Sequence, residues 1–192
     1  MTSALLTPFS SEHGALPLAP VDQPKNPFVR VLYGAMRRRY GQVPTAFRVM
    51  YARSPFVGFV ALVLALGLMR FLRIGRELTF LLQSAIAMQN GCTFCADLQL
   101  AEAVRARMGR ERFRELGDFA SSDSFSPREK AALAYAHALQ RSLHVPDAVW
   151  QGLSRHFSER ERVDIVWVCA VERYFNAMAL PLRIGSDHLA DR

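Results

Sequence analysis

A chain of 192 residues, 51% hydrophobic and 21% charged, is long enough for one well-filled core and short for two. Its net charge of +7 comes from 22 Arg and 2 Lys, scattered except at Arg37-Arg38-Arg39, with no nucleic-acid-binding motif beside them, so a solvated arginine-rich surface and no nucleic-acid partner are expected. The opening residues lack the basic start, apolar run and small-residue cleavage site of a secretory signal. A cytoplasmic protein is therefore expected, in which three cysteines do not form a structural disulfide framework.

Residues 1–25 mix Pro, Ser and Gly without a period and read as an extended arm; a single domain follows over 26–192. Asn26-Pro27 supplies a cap and first-turn proline for a helix to about Tyr40. Pro44 opens a second helix to about Arg53, and Pro55 a third to about Leu72. That third helix, in "PFVGFVALVLALGLM", has about fourteen apolar residues between Arg53 and Arg70, where a membrane span needs about twenty. A core or interface helix is expected, and no membrane span. A helix from about Gly75 stops at Asn90-Gly91, and another runs from Cys92 to about Met108 with Gly109 as its stop. Capping boxes at Ser126–Glu129 and Ser158–Glu161 open two later helices, with a shorter one from Pro146 between them and the last closing before Pro181. No segment alternates as strands do, so the fold class is all-α, with about eight or nine helices.

The chemistry concentrates in "QNGCTFCADLQLAEA". Positions three apart share a helix face, so Cys92 and Cys95 come within disulfide range. A helix N-terminus stabilises a thiolate, and a neighbouring thiol resolves the sulfenic acid or mixed disulfide that the first one forms. Structural zinc needs four ligands. Cys169 sits alone in an apolar helix as a small buried hydrophobe, and His13, His137, His144, His156 and His188 make no paired spacing with the cysteines. No metal and no cofactor are expected.

The motif resembles the signature of the carboxymuconolactone decarboxylase and AhpD-like alkylhydroperoxidase family, Asn-Gly-Cys-x-Tyr/Phe-Cys-x-Asp-x-His followed by a Glu-Ala step. Asn90, Gly91, Cys92, Phe94, Cys95, Asp97, Glu102 and Ala103 match it. "GQVPTAFRVMYARSP", "FSPREKAALAYAHAL" and "FNAMALPL" are similar as well, so the resemblance covers about residues 41–183. It implies an AhpD-like helical bundle assembled as a homo-oligomer, commonly a trimer or hexamer. It also implies a peroxidase in which Cys95 meets a hydroperoxide while Cys92 resolves and exchanges with an external thiol or dithiol reductant.

The family's proton relay is incomplete. The histidine four residues after the second cysteine is replaced by Gln99, which cannot shuttle a proton. The family glutamate twelve residues before the first cysteine is replaced by Phe80, leaving Glu77, one helical turn earlier, as a candidate. Asp97 points to another helix face, which favours a cap or salt bridge. Glu172, in the apolar run of the last long helix, is either paired with an arginine such as Arg173 or functional, and the paired reading is preferred. His137 reads as a core histidine. The expected activity is a thiol-dependent peroxidase or disulfide oxidoreductase with an altered relay, borne by Cys95, Cys92, Glu77, Gln99 and Asp97. The alternatives are a redox-sensing or scaffold protein without turnover, and a lactone decarboxylase, against which the cysteine pair argues.

Overall fold

Asn26 accepts a hydrogen bond from Val29 N at 3.3 Å and opens α1, Pro27–Tyr40, in the computed structural model, which describes residues 15–191. The expected arm falls partly on residues 1–14, outside the described part, as does His13. Residues 15–25 lie along their own chain: Arg53 Nη2 donates to Ala19 O at 2.6 Å, Val21 N to Arg48 O at 3.0 Å, and Arg48 pairs with Asp22 at 2.7 Å.

After α1 come α2 (Pro55–Arg70), α3 (Arg76–Gln89), α4 (Thr93–Arg105), the single turn α5 (Glu111–Arg114), α6 (Pro127–Arg141), α7 (Asp147–Ser154) and α8 (Glu159–Ala179). No strand occurs among the described residues, so the fold is all-α. Both capping boxes form as the spacing predicts, each Ser side chain accepting from the N3 amide while the N3 Glu accepts from the Ser amide.

Two boundaries differ from expectation. The segment after Pro44 becomes a π turn at Phe47–Tyr51, with Ala52 N bonded five residues back to Phe47 O at 3.0 Å. Helix α2 presses against this turn at Gly58, where a Cβ would lie 2.9 Å from the Tyr51 Cβ. The cysteine helix ends at Arg105 instead of about Met108, because Arg107 takes the left-handed conformation (φ 61°) and Met108 N closes onto Ala103 O at 3.0 Å. That is a Schellman stop made without glycine.

Helix α3 is the axle. Leu78 through Ala87 are all buried, and α4, α6 and α8 pack around them. Phe80, Leu81, Leu82, Ile86, Leu133, Leu153 and Ile165 fill the main core, each contributing about 1.5–3 kcal/mol by leaving water. A second cluster of Val49, Met50, Ala61, Ala87, Phe94, Ala179 and Ile184 surrounds the cysteines. In α2 the split is sharp: Gly58 and Ala61 are buried, whereas Phe56 is 74% and Phe59 52% exposed. By length and composition alone, Glu159–Leu182 could cross a membrane; it carries Asp164, Glu172 and Asn176 in the protein interior.

Candidate active site

Gly91, at φ 69°, turns the chain between α3 and α4 and delivers Cys92 to the N-cap of α4. There its sulfur accepts from Cys95 N at 3.3 Å, the contact through which a helix N-terminus stabilises sulfur anions. Cys92 and Cys95 are joined as a disulfide with Cα atoms 5.3 Å apart. Cys92 is fully buried; Cys95, 3% exposed, lines a cavity of about 550 Å³.

That cavity lies among α1, the π turn, α2, α3, α4 and α8. Its wall is largely apolar and aromatic, with Phe47, Tyr51, Phe80, Phe94 and Phe175 among its residues. Its polar side chains are Gln83, Gln99, Glu172, the pair Arg39 and Glu102 with Tyr40, and Arg70.

Glu172 is the centre of the polar part. It is fully buried on α8, and among the described residues no arginine pairs with it: Arg173 instead donates to Leu139 O at 2.9 Å. The expected arginine pairing is therefore corrected. Three amides face the carboxyl. Gln83 Nε2 of α3 and Gln99 Nε2 of α4 donate to Oε2 at 3.1 and 3.2 Å, and Asn176 Nδ2, one turn on, donates to Oε1 at 2.7 Å. Amides supply no full positive charge, so burial dominates and pushes the Glu172 carboxyl up to about 8, partly offset by the three hydrogen bonds. At neutral pH Glu172 is a protonated acid on the cavity wall. The chain of amides continues outward, with Asn90 Nδ2 donating to Asn176 Oδ1 at 2.7 Å and Gln140 Nε2 to Asn90 Oδ1.

The other sequence candidates are dispersed. Gln99 stands in the cavity beside Glu172, as just described. Glu77 is half-exposed, paired with Arg112, which also holds Glu129 at 2.7 Å, and it does not line the cavity. Asp97 is a cap: its carboxylate accepts from Ser186 Oγ and from the amides of Asp187, Leu189 and Ala190 at 2.9–3.0 Å, fastening the C-terminal turn onto α4. His137 lies half-buried beside Phe119, away from the cavity wall. Arg39, expected on a solvated face, pairs with Glu102 on the cavity wall, and Tyr40 Oη donates to the same carboxylate at 2.5 Å.

Sequence reasoning passed over Gln83 and Asn176 as partners of Glu172, and Asn90 as the partner of Asn176. One signal was available: Asn176 follows Glu172 by one helical turn, so both sit on one face of an otherwise apolar segment.

Residues 73–138 match the model of the carboxymuconolactone decarboxylase family, a stretch that includes Gln83, both cysteines, Gln99 and Glu102 but not Glu172. The chain is 28% identical to the uncharacterized protein YdfG of Bacillus subtilis (strain 168) over 111 residues, 57% of this chain and 76% of that protein. Its fold is shared with the debrominase Bmp8, solved as a cysteine-to-alanine variant in complex with 2,3,4-tribromopyrrole. There the TM-score is 0.80 at 20% identity, covering 93% of this chain and 95% of that one. It is shared too with an uncharacterized peroxidase-related protein from Silicibacter sp. TM1040, with a TM-score of 0.78 at 18% identity over 94% and 96% of the two chains. About a third of the chain, carrying the cysteine motif on α4, thus resembles the carboxymuconolactone decarboxylase family, and its all-helical fold is that of these solved structures.

Proposed function

We propose that this protein is a dithiol reductase of AhpD type that reduces organic hydroperoxides, with Glu172 as the proton donor that the missing histidine would otherwise have served. The observation that carries the reading is the placement of a protonated, buried carboxyl and one cysteine of a disulfide pair on the wall of the same apolar cavity.

In the reduced protein Cys95, having lost its proton to solvent, attacks the terminal oxygen of the hydroperoxide. The O–O bond breaks, the hydroxyl stays on sulfur as a sulfenic acid, and the alkoxide takes the Glu172 proton and leaves as an alcohol. Cys92 then attacks the Cys95 sulfur: the S–S bond forms, the S–O bond breaks, and hydroxide leaves with the Cys92 proton as water. Glu172 regains its proton from solvent. An external thiol or dithiol restores the pair by exchange, supplying the two electrons consumed. Gln99 and Gln83 hold the Glu172 carboxyl in place. Neither Glu77, engaged by Arg112, nor Asp97, which caps the C-terminal turn, has a part in this scheme.

A second reading keeps the dithiol and moves the attack from oxygen to halogen. It is favoured by the size and aromatic wall of the cavity together with the shared fold of a debrominase. Cys95 would take the halogen, the ring carbanion would take the Glu172 proton, and Cys92 would displace halide as the disulfide forms. We place the reaction in the cytoplasm, where thiol reductants are abundant. We also propose a self-associated protein, supported by the exposed aromatic face of α2.

The deciding experiment follows cumene hydroperoxide and a brominated pyrrole in parallel under excess dithiothreitol. Wild type is expected to consume the hydroperoxide faster. Cys95→Ser abolishes consumption, whereas Cys92→Ser still spends one equivalent per chain when dithiothreitol is withheld, leaving a sulfenic acid on Cys95 in place of a disulfide. Equal rates for wild type and Cys95→Ser would remove both readings; bromide release without peroxide consumption would select the second. Carbon dioxide release from a carboxymuconolactone, insensitive to thiol alkylation, would overturn the dithiol mechanism altogether.

A further inference from the structure

The ionisable groups on the cavity wall leave one charge uncompensated. Arg39 is matched by Glu102, with Tyr40 sharing that carboxylate. Tyr40 and Tyr51 stay protonated, their hydroxyls pushed up by burial. Glu172 holds its proton near neutral pH. Arg70 remains. It is the last residue of α2, its side chain is exposed, and among the described residues no carboxylate forms an ion pair with it. Its other neighbours on the α2 wall are Leu62, Ala65 and Leu66, all apolar.

An apolar chamber of about 550 Å³ with a single free guanidinium on its lining has a defined complement. A hydrocarbon or aromatic body takes the apolar wall by the hydrophobic effect, and an anionic head takes the guanidinium through charge-assisted, geometrically matched hydrogen bonds. A neutral substrate of the same size would leave the guanidinium to water and gain nothing from it.

We propose that the cavity selects amphipathic anions, an apolar chain or ring ending in a carboxylate, with Arg70 as the residue that recognises the charged end. This rests on the cavity being the substrate site, and it narrows the substrate from any organic hydroperoxide to one bearing an acid group. In the reduced protein the same cation would offset the repulsion between a Cys95 thiolate and an anionic substrate.

The test separates recognition from chemistry by using the oxidised protein and ligands that cannot react. Sodium octanoate and octan-1-ol are titrated by calorimetry into the wild type, Arg70→Gln and Arg155→Gln, the last an exposed arginine away from the cavity wall. The wild type is expected to bind octanoate about tenfold more tightly than octanol, the scale of one charge-assisted hydrogen-bonded contact. Arg70→Gln should abolish that preference while keeping octanol affinity, and Arg155→Gln should change neither. Equal affinities in the wild type, or a preference that survives in Arg70→Gln, would overturn the proposal. Peroxide turnover is read separately. Turnover without anion preference sinks only the recognition by Arg70, and anion preference without turnover sinks only the reductase chemistry.

Discussion

Glu172 keeps its proton because of what surrounds it on each side. From α3 and α4 it meets only the neutral amides Gln83 and Gln99, and from its own helix Asn176. One turn before it is Cys169, whose thiol burial pushes up to about 12, so it carries no charge over the working range. A carboxyl raised to about 8 is a competent acid below that pH and spends itself as a carboxylate above it. The sign for activity follows directly. Peroxide consumption should rise with thiol ionisation and fall as pH passes through about 8, giving a bell with its alkaline limb assigned to Glu172. Glu172→Gln keeps the shape and most of the hydrogen bonding but has no proton to give; its rate should drop about 10²–10⁴-fold and lose the alkaline limb. A variant whose pH profile still falls through 8 would move the proton donor elsewhere, with Tyr40 and Glu102 the next groups on the wall.

At the scale of elements, the amide chain ties α8 to the very turn that presents the cysteines. Asn90 closes α3, bonds Asn176 on α8, and lies two residues before Cys92. Asn176→Leu should remove one donor from Glu172 and orphan Asn90. Because that hydrogen bond lowers the carboxyl's pKa, losing it should move the alkaline limb to higher pH, and stability should fall by about 1–3 kcal/mol. A limb that stays in place while stability falls would make Asn176 a structural residue alone. The same elements show what sequence could and could not reveal. Caps, prolines and the cysteine motif are local signals, and they located α1, α3, α6 and α8 to within a residue or two at their starts. Gln83 and Gln99 reach Glu172 from α3 and α4 across 89 and 73 residues of sequence, and nothing local to Gln83 says that it converges there, whereas the one-turn spacing of Asn176 was legible. An arginine partner was expected because a buried charge needs compensation; the protein removes the charge instead. The stop at Arg107 was missed because glycine is the usual left-handed residue, whereas here the closing bond to Ala103 holds a non-glycine in that conformation.

For the whole molecule, α2 poses the remaining physical problem. Its inner face, Gly58, Ala61 and Ala65, forms part of the cavity wall, yet outside stand Phe56 and Phe59, with Phe71 beyond the helix end at 71% exposure. Phe28 of α1 joins Phe59 in an edge-on contact at 6.4 Å, so the apolar surface is continuous across two helices. Large apolar patches on a monomer attract a partner, and a second copy presents the same patch for closed two-fold pairing. Sedimentation velocity at micromolar concentration should therefore find wild type self-associated. Phe56→Ser with Phe59→Ser should shift it toward the monomer with its helical circular dichroism unchanged. Freed from a neighbour, α2 would hold the outer cavity wall less firmly, so the double variant should raise KM for a hydroperoxide more than it lowers kcat. A wild-type monomer would mean that this face stays in water, and α2 would then be a wall built from one side only.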